Sequence, residues 1–313
     1  MKPFVTVIVP CRNEERFIAS CLDSIVKQDY PKERLEVFVV DGMSEDKTRE
    51  IIKEFEKNYP FLKLLENPKK ITPAALNIGI KRAKGEIIIK MDAHSVYPKD
   101  YISKCVKHLE ESGADNVGGI LKSIPSKNTL FAKSIAICLS HPFGSGRSFF
   151  RVGTKFSKTV DTVAFGCYRK SVFEKIGLFD ERMAKIEDYE FNLRLRRAGG
   201  KIILFPDIVA FYYPSSSNLK DFFWHNFQDG IWITYPWKFI KMPLLIRHYI
   251  PLLFVLAFPL SFFPYFLLSF LFSLQIALKE KDIKYLFSMP LTFFCRHFGY
   301  GLGSLWGIIK IFK

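Results

Sequence analysis

The stretch Val5-Thr6-Val7-Ile8-Val9-Pro10-Cys11-Arg12-Asn13-Glu14-Glu15 begins as a short β-rich apolar run and turns at once to polar and charged residues. Behind it, Phe17/Ile18, Cys21/Leu22 and Ile25/Val26 repeat every four residues, which predicts a sheet-covering helix over 14–28 with Asn13 as its N-cap. The same alternation continues outward. Residues 35–40, 61–65 and 86–91 read as further strands, and 46–58 and 73–84 as further helices. Strand–helix–strand repetition implies an α/β fold around a mostly parallel sheet with right-handed crossovers. Ligands of such sheets bind beyond the carboxyl ends of the strands.

Three strand ends carry polar, carboxylate-bearing clusters: Pro10 to Glu15, then Asp41-Gly42-Met43-Ser44-Glu45-Asp46, then Asp92-Ala93-His94. Taken alone, Asp41-Gly42 is compatible with a turn, and Ser44 or Asp46 with a helix cap. Asp92 and His94 stand two residues apart after an apolar strand and can face one divalent ion, with water and phosphate oxygens completing the shell. Glu187-Asp188 opens an amphipathic stretch, so its carboxylates project from a helix N-terminus whose dipole favours the ionised form. That suits a general base, and equally a capping pair.

The chain has 313 residues, 49% of them hydrophobic and 32 of them Phe, which excludes a disordered or collagen-like polymer. A formal charge of +15 favours an anionic partner: nucleic acid, a phospholipid surface or a phosphorylated small molecule. The six cysteines are scattered, without zinc-finger spacing, and are expected reduced and buried. The N-terminus does not read as a cleavable signal. Residues 249–278 form a run of 30 without Asp, Glu, Lys, Arg or His, interrupted by Pro251, Pro259 and Pro264. Such a run is expected in a membrane, as one kinked span or a re-entrant hairpin. A second apolar stretch, 285–309, contains Arg296 and His297, which are expected to face protein, headgroups or a polar cavity. There, Gly299, Gly303 and Gly307 recur at the spacing that admits a second membrane helix.

The four clusters, in this order, resemble those of family 2 glycosyltransferases of the GT-A fold, and in particular the membrane-attached transferases of succinoglycan-type exopolysaccharide biosynthesis. The resemblance implies a GT-A catalytic domain over 1–240 and membrane-associated helices over 241–313. It implies a metal-dependent hexosyltransferase that moves a sugar from a nucleotide-sugar donor to a lipid-linked or membrane-proximal saccharide acceptor. By the same resemblance Pro10, Asn13, Glu14 and Asp41 line the nucleotide pocket, and Asp41 accepts from the base. Asp92 and His94 take the place of the metal- and diphosphate-binding aspartates, with Mn²⁺ or Mg²⁺ as the ion. Asp188 then becomes the general base of an inverting displacement, with Glu187 in support. The catalytic domain is expected on the cytoplasmic face of the cell membrane, with no nucleic-acid partner.

Two rival readings carry distinct signatures. A metal-dependent nucleotidyltransferase would show a Gly-rich loop after the first strand, where this chain has Pro10-Cys11-Arg12-Asn13. A non-enzymatic basic membrane or nucleic-acid binder has no need of acidic strand ends. Gln228 and Trp232 keep part of the Q-x-x-R-W pattern of processive synthases, but Ile231 replaces its arginine, which argues against processive synthesis; an aromatic membrane-surface belt is the competing account of 222–237.

Overall fold

The structure is a computed structural model, and it describes residues 2–241 and 243–313. In chain order the elements are β1 (Val5–Cys11), α1 (Ile18–Val26), β2 (Leu35–Asp41), α2 (Thr48–Asn58), β3 (Leu62–Glu66), α3 (Thr72–Arg82), β4 (Ile87–Lys90), β5 (Ser95–Val96), α4 (Tyr101–Ser112) and β6 (Asn116–Ser123). There follow α5 (Leu130–Ser140), the short α6 (Pro142–Ser145) and α7 (Phe149–Val152), β7 (Lys158–Thr159), β8 (Ala164–Arg169), α8 (Lys170–Ile176), α9 (Glu187–Arg197) and β9 (Ile202–Tyr212). The chain closes with α10 (Leu219–Thr234), α11 (Ile246–Leu256), α12 (Phe258–Glu280) and α13 (Tyr285–Ile311). These form two compact units. One comprises residues 1–122 and 153–212, the other 123–152 and 213–313.

The first unit is built on one sheet in the order β3-β2-β1-β4-β8-β6-β9-β5, with β7 on β9. The pairs among β3, β2, β1 and β4 are parallel. At β4 the sheet changes character, because β8 pairs with it antiparallel, as do β6 with β8 and β5 and β7 with β9. The parallel strands are buried on both faces: Val5, Val7, Ile8 and Val9 are fully covered, as are Val37, Val39 and Val40. Ile18, Cys21, Leu22 and Ile25 of α1 are fully buried too, as their four-residue repeat requires.

One expectation is corrected here. Asn13 is not the N-cap of the first helix, which begins at Ile18. Asn13 instead adopts a left-handed φ of 55°, and its side-chain oxygen accepts from Glu45 N at 2.9 Å while its own N–H donates to Ser44 Oγ at 2.8 Å. The side chain is spent on lacing the loop after β1 to the loop after β2.

The second unit is helical. Gly299, Gly303 and Gly307 let α13 lie against α10: a Cβ at Gly299 would stand 2.9 Å from Phe223 O, at Gly303 1.9 Å from Phe227 O, and at Gly307 2.2 Å from Thr234 Oγ1. The partners rise in step along both helices, so the two run parallel. Gly230 completes the seam from α10, since a Cβ there would meet Tyr300 O at 2.1 Å. The glycine face thus receives α10 rather than an apolar span. Arg296 bonds Asn226 and, at 3.2 Å, Gly144 O, while His297 Nε2 donates to Phe143 O at 2.8 Å, so both face protein as expected. Pro259 stands in the first turn of α12, and the apolar run breaks before it, between α11 and α12. Among the described residues α12 is the one helix long and apolar enough to cross a membrane, and Leu260, Phe263 and Leu278 on it are exposed.

Gly303→Val should cost about 2 kcal/mol or more, because the added atoms overlap backbone that cannot rotate away. The check is thermal unfolding against the wild-type chain. Equal melting temperatures would mean that the seam tolerates separation.

Candidate active site

The carboxyl ends of β1, β2 and β4 surround a cavity of about 270 Å³ whose lining includes Pro10, Arg12, Glu14, Gly42, Asn67, Lys70, Lys90, Asp92, His94 and Glu187. Of the six described non-glycine residues with positive φ, Lys70 at 59° lines it, and Asn13 at 55°, Met43 at 57° and Ile186 at 55° adjoin lining residues in the chain. A β-branched residue such as Ile186 pays heavily for that conformation. Strain of this kind concentrates where a chain must aim particular groups, and Ile186 aims the start of α9.

The centre of the cluster is Lys90, the last residue of the otherwise apolar β4. Its Nζ lies 2.8 Å from Glu187 Oε1 and 2.5 Å from Asp188 Oδ2, and the side chains of Lys90 and Glu187 are about one-tenth exposed. Burial opposes the lysine charge, yet Asp188 and Glu187 outweigh it and hold its pKa well above the ordinary value. Asp188 shifts the other way. Burial raises its pKa, and although Lys90 counteracts this, nearby Glu187 adds repulsion and the carboxyl is pushed up to about 6. The helix dipole therefore does not keep Asp188 strongly ionised; desolvation prevails. Asp188 Oδ1 is buried without a hydrogen-bond partner among the described residues.

Asp92 and His94 come together with Glu14. His94 Nδ1 stands 2.9 Å from Asp92 Oδ1 and 3.1 Å from Glu14 Oε1. Burial opposes the imidazolium, but Asp92 and the hydrogen bond to Glu14 prevail and raise the His94 pKa well above its usual value. Asp92 is correspondingly held below the usual carboxylate value, against the effect of its own burial. Its Oδ1 accepts from His94, whereas Oδ2 has no partner among the described residues and borders the cavity.

Asp41 is placed differently. It is fully buried, and its carboxylate accepts from Ser44 N at 3.0 Å, Ser44 Oγ at 2.5 Å and Arg49 Nη1 at 3.2 Å, shaping the loop beneath the cavity. Pro10 and Glu14 lie on the wall, and Asn13 ties the adjoining loops. Sequence reasoning missed Lys90, Lys70 and Asn67. A lysine ending the run Ile87-Ile88-Ile89 was a readable signal, since a charge there must find a buried partner. Asn67, whose Oδ1 is buried and unpartnered among the described residues, had no such signal.

The sequence profile described as Glycosyl transferase family 2 matches residues 6–177. The chain is 31% identical to a dolichyl N-acetyl-alpha-D-glucosaminyl phosphate 3-beta-D-2,3-diacetamido-2,3-dideoxy-beta-D-glucuronosyltransferase of Methanococcus voltae, over 98% of this chain and 98% of that one. It is 30% identical to succinoglycan biosynthesis protein ExoA of Rhizobium meliloti, over 72% of this chain and 67% of the relative. Among solved structures, the mannosyltransferase PcManGT from Pyrobaculum calidifontis, in complex with GDP-Man and Mn²⁺, shares the fold with a TM-score of 0.67, at 22% identity and covering 98% of this chain and 88% of its own.

Lys90→Met leaves two carboxylates without their cation and should cost about 3 to 5 kcal/mol near pH 8. Asp188 has a folded pKa above its unfolded value even beside Lys90, so its contribution to stability is complete below about pH 4 and lost as pH rises through about 6. Without Lys90 that loss deepens. The variant's deficit in chemical denaturation should therefore be smaller at pH 5 than at pH 8, and an equal deficit at both would show that carboxylate repulsion is not its origin.

Proposed function

The chain belongs to glycosyl transferase family 2, and from that premise we propose that it moves a sugar from a nucleotide-sugar donor, bound in the sheet-end cavity, to a saccharide acceptor carried on a membrane lipid. The observation that carries this reading is that Asp92, Lys90 and Glu187 line the cavity at the ends of the parallel strands, with Asp188 held next to it by its ion pair to Lys90. The lipid-linked acceptor is supported by the Methanococcus voltae relative, whose name specifies a dolichyl phosphate-linked sugar.

The donor's base lies against Pro10 and Glu14, over the loop that Asp41 and Asn13 brace from beneath, Asp41 being too deeply buried to accept from the base itself. Its diphosphate meets Arg12 and Lys70. The donor set suits a hard divalent cation: Asp92 presents an ionised carboxylate with one oxygen free, which with His94 and the donor's own phosphates makes an ordinary Mn²⁺ or Mg²⁺ shell. His94 must give up its proton to serve, which ties metal affinity to pH. The bound ion supplies positive charge to the leaving diphosphate.

Asp188 takes the proton of the acceptor hydroxyl. The hydroxyl oxygen forms a bond to the anomeric carbon from the face opposite the diphosphate, the bond from that carbon to the phosphate oxygen breaks, and configuration inverts. A carboxylate with a pKa near 6 is a better base than one near 4 and is still ionised at neutral pH. Lys90 holds the second oxygen, leaving Oδ1 to receive the proton. Exposed apolar faces on α12 suit membrane attachment, and the catalytic unit faces the cytoplasm, where nucleotide sugars are made.

Asp188→Asn should reduce release of nucleoside diphosphate on incubation with donor and acceptor membranes by about a hundredfold or more, with donor affinity nearly unchanged. The wild-type rate should fall as pH drops below about 6, where Asp188 takes up its proton, and the residual rate of the variant should lack that limb. Near-wild-type turnover in the variant would remove Asp188 from the role of base.

Chelation by EDTA should abolish transfer, and added Mn²⁺ or Mg²⁺ should restore it. Asp92→Ala should weaken donor binding in the presence of metal to the level seen without it. Full activity in EDTA would refute the ion's role.

A further inference from the structure

The second unit holds a cavity that the transfer reaction leaves unused. It is an open hollow of about 430 Å³ where α10 and α13 both end, with Gln228, Ile231 and Trp232 from α10, Tyr235 just after it, and Lys238, Lys310 and Lys313 around it. Gln228 and Trp232 are the residues that keep the partial synthase motif.

The charge balance of this cavity is one-sided. No acidic residue lines it, and none of the three lysines has a carboxylate partner among the described residues. Lysines at helix carboxyl ends commonly answer the helix dipole, but two such ends present only about one negative charge in all, at roughly half a charge each. Three lysines outweigh them, and the positive surplus suits a phosphate group, which carries roughly −1.5 to −2 at neutral pH. The walls are firm. The glycine seam and the bond from Thr234 Oγ1 to Ser304 O, 2.9 Å long, hold α10 and α13 together just before they end.

The depth of the cavity indicates what presents the phosphate. Gly301 of α13 lies against Pro251, near the start of the apolar run, and Lys310 follows about 14 Å further along the helix at 1.5 Å per residue. A membrane holding α12 and the apolar side of α11 would have its headgroups at about that level. Trp232 and Tyr235, edge to face with centroids 6.1 Å apart, are the side chains that settle there. We propose that this cavity binds a phosphomonoester or diphosphate group and that a membrane lipid presents it.

The test uses the full chain in detergent micelles, titrated calorimetrically with dioctanoyl phosphatidic acid, dioctanoyl phosphatidylcholine, inorganic phosphate and pyrophosphate. Phosphatidic acid should bind saturably and phosphatidylcholine should not. K238Q/K310Q/K313Q should weaken phosphatidic acid binding at least tenfold, whereas K279Q/K281Q, at the carboxyl end of α12, and the charge-preserving K310R/K313R should stay within twofold. Circular dichroism melting of each variant verifies its fold, and the single Lys310→Gln, expected to weaken binding two- to fivefold, serves if the triple variant melts early. Absence of saturable binding, or equal binding by the triple variant, would overturn the site. Soluble phosphate or pyrophosphate binding as tightly as phosphatidic acid would overturn the lipid as its source.

Discussion

One buried ammonium group holds the catalytic half of this protein in register. Lys90 ends the strand beside β1 and reaches two carboxylates on α9, nearly a hundred residues later. Both partners need the contact. The lysine could not stay charged in that position without them, and the carboxylates could not share so small a volume without it. Because Asp92 follows Lys90 by two residues, the same contact fixes the distance between the carboxylate proposed to hold the ion and the proposed base.

Around that contact the loops are tied to each other rather than to solvent. Asn13 binds the Ser44–Glu45 turn, Glu14 N donates to Thr48 Oγ1 at 2.7 Å, and Arg49 bridges Asp41 and Glu66. These bonds tie the loops after β1 and β2 together and restrain the left-handed Asn13 and Met43. A preorganised pocket of this sort spends folding energy on aiming polar groups, which then need little rearrangement as charge develops on a leaving diphosphate.

The second unit solves a different problem. Its seam of glycines replaces side-chain packing by close approach of two backbones, so α13 can carry Arg296 and His297 within an apolar stretch and still satisfy both through Asn226, Gly144 and Phe143. The faces of α11 and α12 that remain bare are the ones suited to lipid.

Much of this was local information and therefore legible in the chain. Strand and helix alternation, the acidic strand ends, the uncharged run and the order of the four clusters depend only on neighbouring residues, and they were enough to indicate the fold and the family. What the tertiary structure decided were matters of long-range contact and desolvation. Asn13 read as a helix cap because capping is a local preference, but a partner 32 residues away claimed its side chain. The antiparallel half of the sheet rests on pairings such as Ile87 with Arg169, which no local pattern encodes. Asp188 looked strongly ionised at a helix start, yet burial beside Glu187 raised its pKa, since the dipole acts within one turn while the loss of water acts on the whole group. Glycines 299, 303 and 307 announced a close helix contact, and only the fold could say that α10 makes it.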